Sequence, residues 1–139
     1  MAFTNPSNER MAEILQAAKT IAVVGLSDKP DRTSYMVAEA MQAKGYRIIP
    51  VNPMVSGKIL GETCYPSLTE VPETIDIVNV FRRSEQVLPV AEETVAVKAG
   101  CFWLQQEIYN EEAAALVEQS GIPAIMNLCI KVAHAVLIR

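Results

Sequence analysis

Short apolar runs alternate along this chain with segments of helical period, and that alternation admits few folds. Ile21-Ala22-Val23-Val24 is apolar without a break, as a strand buried on both faces of a parallel sheet must be. Segments 48–51, 75–81, 101–104 and 124–126 read the same way. Between them lie helices. Ser7 is placed to cap one whose Met11, Ile14, Leu15 and Ala18 fall at i, i+3, i+4 and i+7. Met36, Val37, Ala40 and Met41 make a second apolar stripe, which ends before Gly45, a suitable C-terminal glycine; Thr33 or Ser34 is placed to cap it. Ser84 precedes a third helix with Val87, Leu88, Ala91 and Val95, and Pro89 marks where its regular part begins. Asn110 caps a fourth over 111–119, with two acids in its first turn and Gly121 at its stop. The tail from 130 to 137 is apolar with helical period and is expected to dock on the core.

Strands alternating with helices at this spacing imply βαβ units. The expected fold is α/β: a single-domain, Rossmann-like, doubly wound and mainly parallel five-stranded sheet flanked by helices, spanning residues 1–139. The stretch 53–72 is the least regular part, a long loop holding Gly57 and Gly61, with a brief strand near Cys64-Tyr65. In so small a domain, a loop of that length is more often functional than idle.

Composition narrows the class. With 139 residues, half of them hydrophobic, the chain can bury one proper core without staples. A net charge of −4 argues against a general nucleic-acid binder. Residues 1–10 are polar and lack the apolar core of a secretory signal, and no apolar run approaches the roughly 20 residues that span a bilayer. Cys64, Cys101 and Cys129 show no C-x-x-C pairing, which suits free thiols in a reducing, cytoplasmic setting. His134 is the only histidine and has no ligand cluster around it, so a metal site is not expected.

In open α/β sheets, ligands bind outside the carboxyl ends of the strands, near the switch point of strand order. The first strand runs into Gly25-Leu26-Ser27-Asp28-Lys29-Pro30-Asp31-Arg32-Thr33-Ser34. Gly25 permits a tight turn, Ser27 offers a hydroxyl, and the following helix start favours an anion. Lys29 and Arg32 add positive charge, offset by Asp28 and Asp31. Only the first glycine of G-x-G-x-x-G is present, so the loop reads equally as a phosphate cradle or as an ordinary capped turn. After the second strand, Asn52-Pro53 stands where an NAD site usually places Asp or Glu on the ribose, and Lys58 follows in the long loop. After the third comes Phe81-Arg82-Arg83, with guanidinium forks suited to phosphate and a ring that can pack on another. Lys29, Arg32, Lys58, Arg82 and Arg83 are five of the twelve basic residues, all on loops expected to share one edge. A small polyanionic ligand explains that distribution.

Catalytic machinery is not evident. His134 reads as a packed or surface histidine, Glu107 as a solvated acid beyond the fourth strand, and Cys129 as a thiol without a base beside it in sequence. Trp103 and the methionines read as core.

Several stretches together resemble the small bacterial CoA-binding proteins, and through them the CoA-binding domain of the succinyl-CoA synthetase α subunit. They are Ile21-Ala22-Val23-Val24-Gly25-Leu26-Ser27, Pro30-x-Arg32-x-Ser34 and Gly45-Tyr46-Arg47-Ile48-Ile49-Pro50-Val51-Asn52-Pro53. Further along come Ile59-Leu60-Gly61-Glu62, Tyr65-x-Ser67-Leu68, Asp76-Ile77-Val78-x-Val80-Phe81-Arg82 and Trp103-Leu104-Gln105. The resemblance implies coenzyme A or an acyl-CoA as ligand. It implies a site built from Gly25, Leu26 and Ser27, from Arg32 to Ser34, from Asn52-Pro53, and from Phe81-Arg82 with Arg83 alongside; Lys58 is the counterpart of a basic residue that meets the nucleotide phosphates. Two stretches depart from the family. A glycine usual soon after Trp-Leu-Gln is replaced within Gln106-Glu107-Ile108, and an Asp-Arg pair before the late cysteine is replaced by Asn127-Leu128.

The expected function is therefore a non-catalytic CoA-binding module, with no nucleic-acid or membrane partner. A homodimer or an acyl-CoA enzyme would be the protein partner. The alternatives are an NAD(P)-linked reductase-like domain, disfavoured by the missing glycines and Asn52, and a CoA ligase or transferase component that needs a second subunit.

Overall fold

A computed structural model describes residues 3–138; Met1, Ala2 and Arg139, the ends of the expected domain, lie outside the described residues. The elements are α1 (Asn8–Ala17), β1 (Thr20–Val24), α2 (Thr33–Ala43), β2 (Arg47–Val51), β3 (Lys58–Ile59), β4 (Glu62–Thr63), β5 (Ile77–Val80), α3 (Leu88–Ala96), β6 (Phe102–Leu104), α4 (Glu111–Gln119), β7 (Ala124–Ile125) and α5 (Ile130–Leu137). Five strands form one sheet in the order β2-β1-β5-β6-β7, with all four neighbouring pairs parallel. The chain leaves β1 toward β2 on one side and later returns to β5 on the other, so strand order reverses at β1. This is the doubly wound, Rossmann-like sheet that the alternating pattern predicts.

Alternate residues of each strand feed opposite faces, as the two-residue period requires. Ile21, Val23, Ile48, Ile77 and Trp103 pack with α1, α2 and α5 on one face. Ala22, Val24, Ile49, Val78, Val80, Phe102 and Leu104 pack with α3 and α4 on the other. Trp103 is fully buried and donates from Nε1 to the Leu128 carbonyl at 2.8 Å, satisfying its one polar atom. The short edge strand β7 is closed by Asn5, whose side-chain amide exchanges two hydrogen bonds with the Met126 backbone.

Local signals worked where a cap has a specific chemistry. Ser7 accepts from the Arg10 N–H to start α1, Asn110 accepts from Ala113 to start α4, and Pro89 sits in the first turn of α3 behind a 3₁₀ turn at Ser84–Gln86. Three expectations need correction. The buried stripe of α2 is Ser34, Val37, Ala38 and Met41, while Met36 is 48% exposed, so the helix buries a face of small residues beside the expected Met36–Ala40 stripe. Neither Thr33 nor Ser34 caps α2: Arg32 is the N-cap and offers no side-chain hydrogen bond. Met54, too, is outside the core at 87% exposed. The long loop folds into a β3–β4 hairpin, and Tyr65 returns to bridge Val51 in parallel. Among the described residues no helix is long and apolar enough to cross a membrane.

Candidate functional site at the carboxyl edge of the sheet

The β1 and β5 ends are pressed together. The Gly25 N–H donates to the Val51 carbonyl, and the Phe81 N–H donates to Val24, each at 2.8 Å, so the ladder continues one residue past the strands. Gly25 adopts φ +89°, and a Cβ there would stand 2.5 Å from the Phe81 carbonyl oxygen. Any side chain would meet both left-handed strain and a backbone clash, which explains why the turn requires glycine.

The loop after Gly25 is tied down at both ends. Asn52 donates from Nδ2 to the Leu26 carbonyl at 3.0 Å, while its Oδ1 accepts from the Met54 N–H at 2.9 Å. Ser34 Oγ accepts from the Ser27 N–H at 3.0 Å, and Ser27 Oγ accepts from the Lys29 N–H at 3.0 Å. Asn52 thus acts as a staple between β2 and the turn, and the Ser34 hydroxyl serves the loop rather than the helix. Leu26 is fully buried, so its side chain belongs to the core and only its backbone could face a ligand. With no side chain capping α2, its first-turn N–H groups and the positive end of its dipole are open to an anion.

Thr33 at that helix start lines a cavity of about 490 Å³ together with Phe81, Arg82, Arg83, Gln105 and Cys129. A second cavity of about 250 Å³ lies on the other side, lined by Val24, Val51, Pro53, Ser67 and Arg82 among others. Arg82 belongs to both walls. Lys29, Arg32, Arg82 and Arg83 form no ion pair with any described residue. Lys58 opens β3, outside β2, and lines neither cavity. Lys29 and Arg32 likewise line neither cavity, so of the five cations only Arg82 and Arg83 do.

Two buried amides support the far wall, and sequence reading passed over their role. Asn79 on β5 and Gln105 after β6 are 1% and 4% exposed. Gln105 Oε1 accepts from Asn79 Nδ2 at 3.0 Å and from the Ile130 N–H at 2.9 Å, linking the β5 and β6 ends to the start of α5. A polar residue inside the apolar run Ile77-Val78-Asn79-Val80 was the available signal, since a buried amide in a central strand needs a partner. On the rim, the Glu107 N–H donates to Asn127 Oδ1 at 2.7 Å, and these residues have φ of +70° and +57°. So the segment that departs from the resembled family by lacking a glycine holds a left-handed residue, fixed by a side chain from the second departing segment.

The cysteines differ. Burial pushes the Cys101 thiol up to about 12, and burial also raises Cys64, whose thiol donates to the Asn52 carbonyl. Cys129 is half-buried and faces the larger cavity. His134 lies elsewhere, edge-on to the Tyr46 ring with centroids 5.7 Å apart, and burial followed by the nearby Lys44 charge lowers its pKa. Among the described residues no cluster of three or more potential metal ligands occurs.

The model of a family described as "CoA binding domain" matches residues 19–135. The chain is 58% identical over 132 residues to the uncharacterized protein YneT of Bacillus subtilis (strain 168), covering 95% of this chain and 97% of that one. Among solved structures it superposes on the protein ID.343 of Thermus thermophilus with a TM-score of 0.92 and 33% identity, covering 96% of this chain and all of the other. The dinucleotide-forming acetyl-coenzyme A synthetase 1 of Ca. Korarchaeum cryptofilum shares the fold over 76% of this chain and 25% of its own, with a TM-score of 0.66 and 21% identity.

Proposed function

The chain belongs to the CoA-binding domain family, and from that premise we propose that it binds coenzyme A, free or acylated, at the carboxyl edge of the sheet and catalyses no reaction of its own. The observation that carries this reading is the meeting of the uncapped α2 start with the unpaired Arg82 and Arg83 on one cavity wall. Helix N–H groups and guanidinium forks are complementary to a pyrophosphate. Their charge acts locally: the Debye length is about 8 Å at physiological salt, so the net charge of −4 does not cancel it.

The ligand lies across the edge with its phosphates at α2 and Arg82. Its nucleoside end enters the smaller cavity between Pro53 and Ser67, and its pantetheine arm enters the larger one toward Gln105. Asn52 and Ser34 act indirectly, holding the Gly25–Ser27 turn in the shape that leaves room for phosphate. Lys29 and Arg32 line the approach. Lys58 contributes long-range attraction only. The absence of catalysis rests on the residues of the cavity: Glu107 and Cys129 are there, but no base among the described residues is hydrogen-bonded to either side chain.

Calorimetric titration tests the reading. CoA is expected to bind one per chain, with affinity falling as salt rises, and NADH is expected to bind at least roughly tenfold more weakly. No heat at about 1 mM CoA, or tighter binding of NADH, would overturn it.

A further inference from the structure

The amino edge of the sheet carries a cavity that the CoA reading does not use. It measures about 240 Å³ and lies between the ends of α1 and α2 and the second half of α5, with Gln16, Lys19, Lys44, Tyr46, His134 and Ile138 on its wall. Its charge has one sign. Lys19 and Lys44 form no ion pair with any described residue, and no Asp or Glu stands on the wall, although the chain holds sixteen acids against twelve Lys and Arg. The helix ends leave those cations unclaimed as well. The Ile14, Leu15, Met41 and Gln42 carbonyls already accept, in turn, from the Ala18 N–H, the Tyr46 hydroxyl, the Lys44 and Tyr46 N–H groups, and the Gly45 N–H.

His134 supplies an independent observation. Its Nδ1 is the one buried side-chain nitrogen or oxygen without a hydrogen-bond partner among the described residues. A proton there would be a buried donor with no acceptor, at a cost on the order of 1–3 kcal/mol. Nδ1 therefore stays bare, and the neutral ring carries its proton on Nε2. Burial, followed by the Lys44 charge, lowers the pKa of the ring and favours that neutral form. Nε2 makes no hydrogen bond with a described residue and is not buried, so it is the ring nitrogen open to a ligand. The Tyr46 ring, edge-on to the imidazole, helps to hold it in place. Two ammonium groups and one imidazole N–H face a space without an ionised acceptor. A small anion with several oxygens matches that set, and a cation does not.

We propose that this cavity is a second ligand site, which takes a small polyvalent oxyanion of the inorganic phosphate class on Lys19, Lys44 and His134 Nε2. It stands independently of the CoA reading and lies at the opposite end of the sheet from Arg82.

The test titrates ¹⁵N-labelled whole protein with inorganic phosphate at constant ionic strength and about pH 7.5, where the ring is neutral. Before phosphate is added, the His134 ring signals should show the proton on Nε2. Amide shifts are then expected at residues 16–19, 44–46 and 134, half-saturated at roughly 1–10 mM, and sulfate should reproduce them. Because the carboxyl edge also attracts phosphate, the titration is repeated in R82A, where the amino-edge shifts should be unchanged. Lys19 and Lys44 are exposed, so K19A and K44A should fold; each is expected to weaken the amino-edge binding about fivefold or more. K131A removes the same charge from α5 outside the cavity wall and should change it less than about twofold, which separates a local site from overall charge. No amino-edge shift at about 50 mM phosphate overturns the proposal, as do equal losses in K44A and K131A or a proton found on Nδ1. None of these outcomes bears on whether CoA binds at the other edge.

Discussion

Arg47 and Arg82 stand at opposite ends of the same sheet, and the fold treats them differently. At the amino edge, Arg47 holds Glu73 through two hydrogen bonds of 2.5 and 2.8 Å and meets Glu62 at 3.3 Å. The bond from Arg47 keeps the Glu73 carboxyl below its ordinary pKa. Nearby, Asp76 accepts from the Lys19 and Thr20 N–H groups, and Thr20 and Asp76 are tied again through the Thr20 hydroxyl. At the carboxyl edge, Arg82 and Arg83 have no carboxylate partner among the described residues, and the helix start beside them has no cap. Exposed ion pairs contribute little, typically under about 1 kcal/mol, so this asymmetry is no device for stability. It fits the proposal that the carboxyl edge receives an anionic ligand.

Each edge also has a glycine pressed against a carbonyl, which allows the sharpest contrast. A Cβ on Gly100 would stand 2.7 Å from the Asp76 oxygen, as one on Gly25 would stand 2.5 Å from Phe81. Both G25A and G100A are expected to lower stability; G25A, at φ +89°, adds left-handed strain and should cost about 2 kcal/mol or more. Only G25A should also weaken CoA binding in protein that remains folded. Equal binding loss from both would show that the edges are not functionally distinct.

Q105L comes next. It strands the Ile130 N–H and leaves Asn79 Nδ2 only the Trp103 carbonyl at 3.4 Å, at a cost of about 1–3 kcal/mol seen as a lower melting temperature, and it removes the amide from the larger cavity. R82A should leave the melting temperature nearly unchanged but weaken CoA by roughly tenfold and flatten the salt dependence. R47A should leave CoA affinity unchanged. Reversal of those two outcomes would move the site to the amino edge. The smallest effect concerns His134, whose Nδ1 is buried without a partner on the amino side. Its folded pKa lies below the unfolded one, so its contribution is present above about pH 6.5 and is lost as pH falls through the folded value. Thermal melts of H134F should show less destabilisation between pH 7 and 5 than the parent, with no change in CoA affinity.

The fold was legible because its signals are local and redundant. Ile21-Ala22-Val23-Val24 can only be a sheet interior, and Ser7, Pro89 and Asn110 each mark a helix start by their own chemistry. The proposed site is legible at Gly25 and at Phe81-Arg82-Arg83, which directly follow strands. It was less so where function depends on a partner distant in sequence. Asn52 meets Leu26 across 26 residues and Gln105 meets Ile130 across 25, and nothing in either local pattern indicates the pairing. Sequence order groups five cations on loops of one edge, but only Arg82 and Arg83 line the cavities, while Lys58 sits on the β3–β4 hairpin. Cys129 lacked a neighbour in sequence, and its cavity wall is assembled from the ends of β5 and β6.

The central claim is that coenzyme A phosphates are held at the carboxyl edge. Backbone amide shifts of the ¹⁵N-labelled protein during CoA titration test it directly. The account predicts that shifts concentrate at residues 25–35, 52–54, 81–83 and 105–107, while Lys19, Thr20, Arg47, Glu73 and Asp76 stay still. Shifts centred on those five residues, or none at saturating CoA, would contradict it.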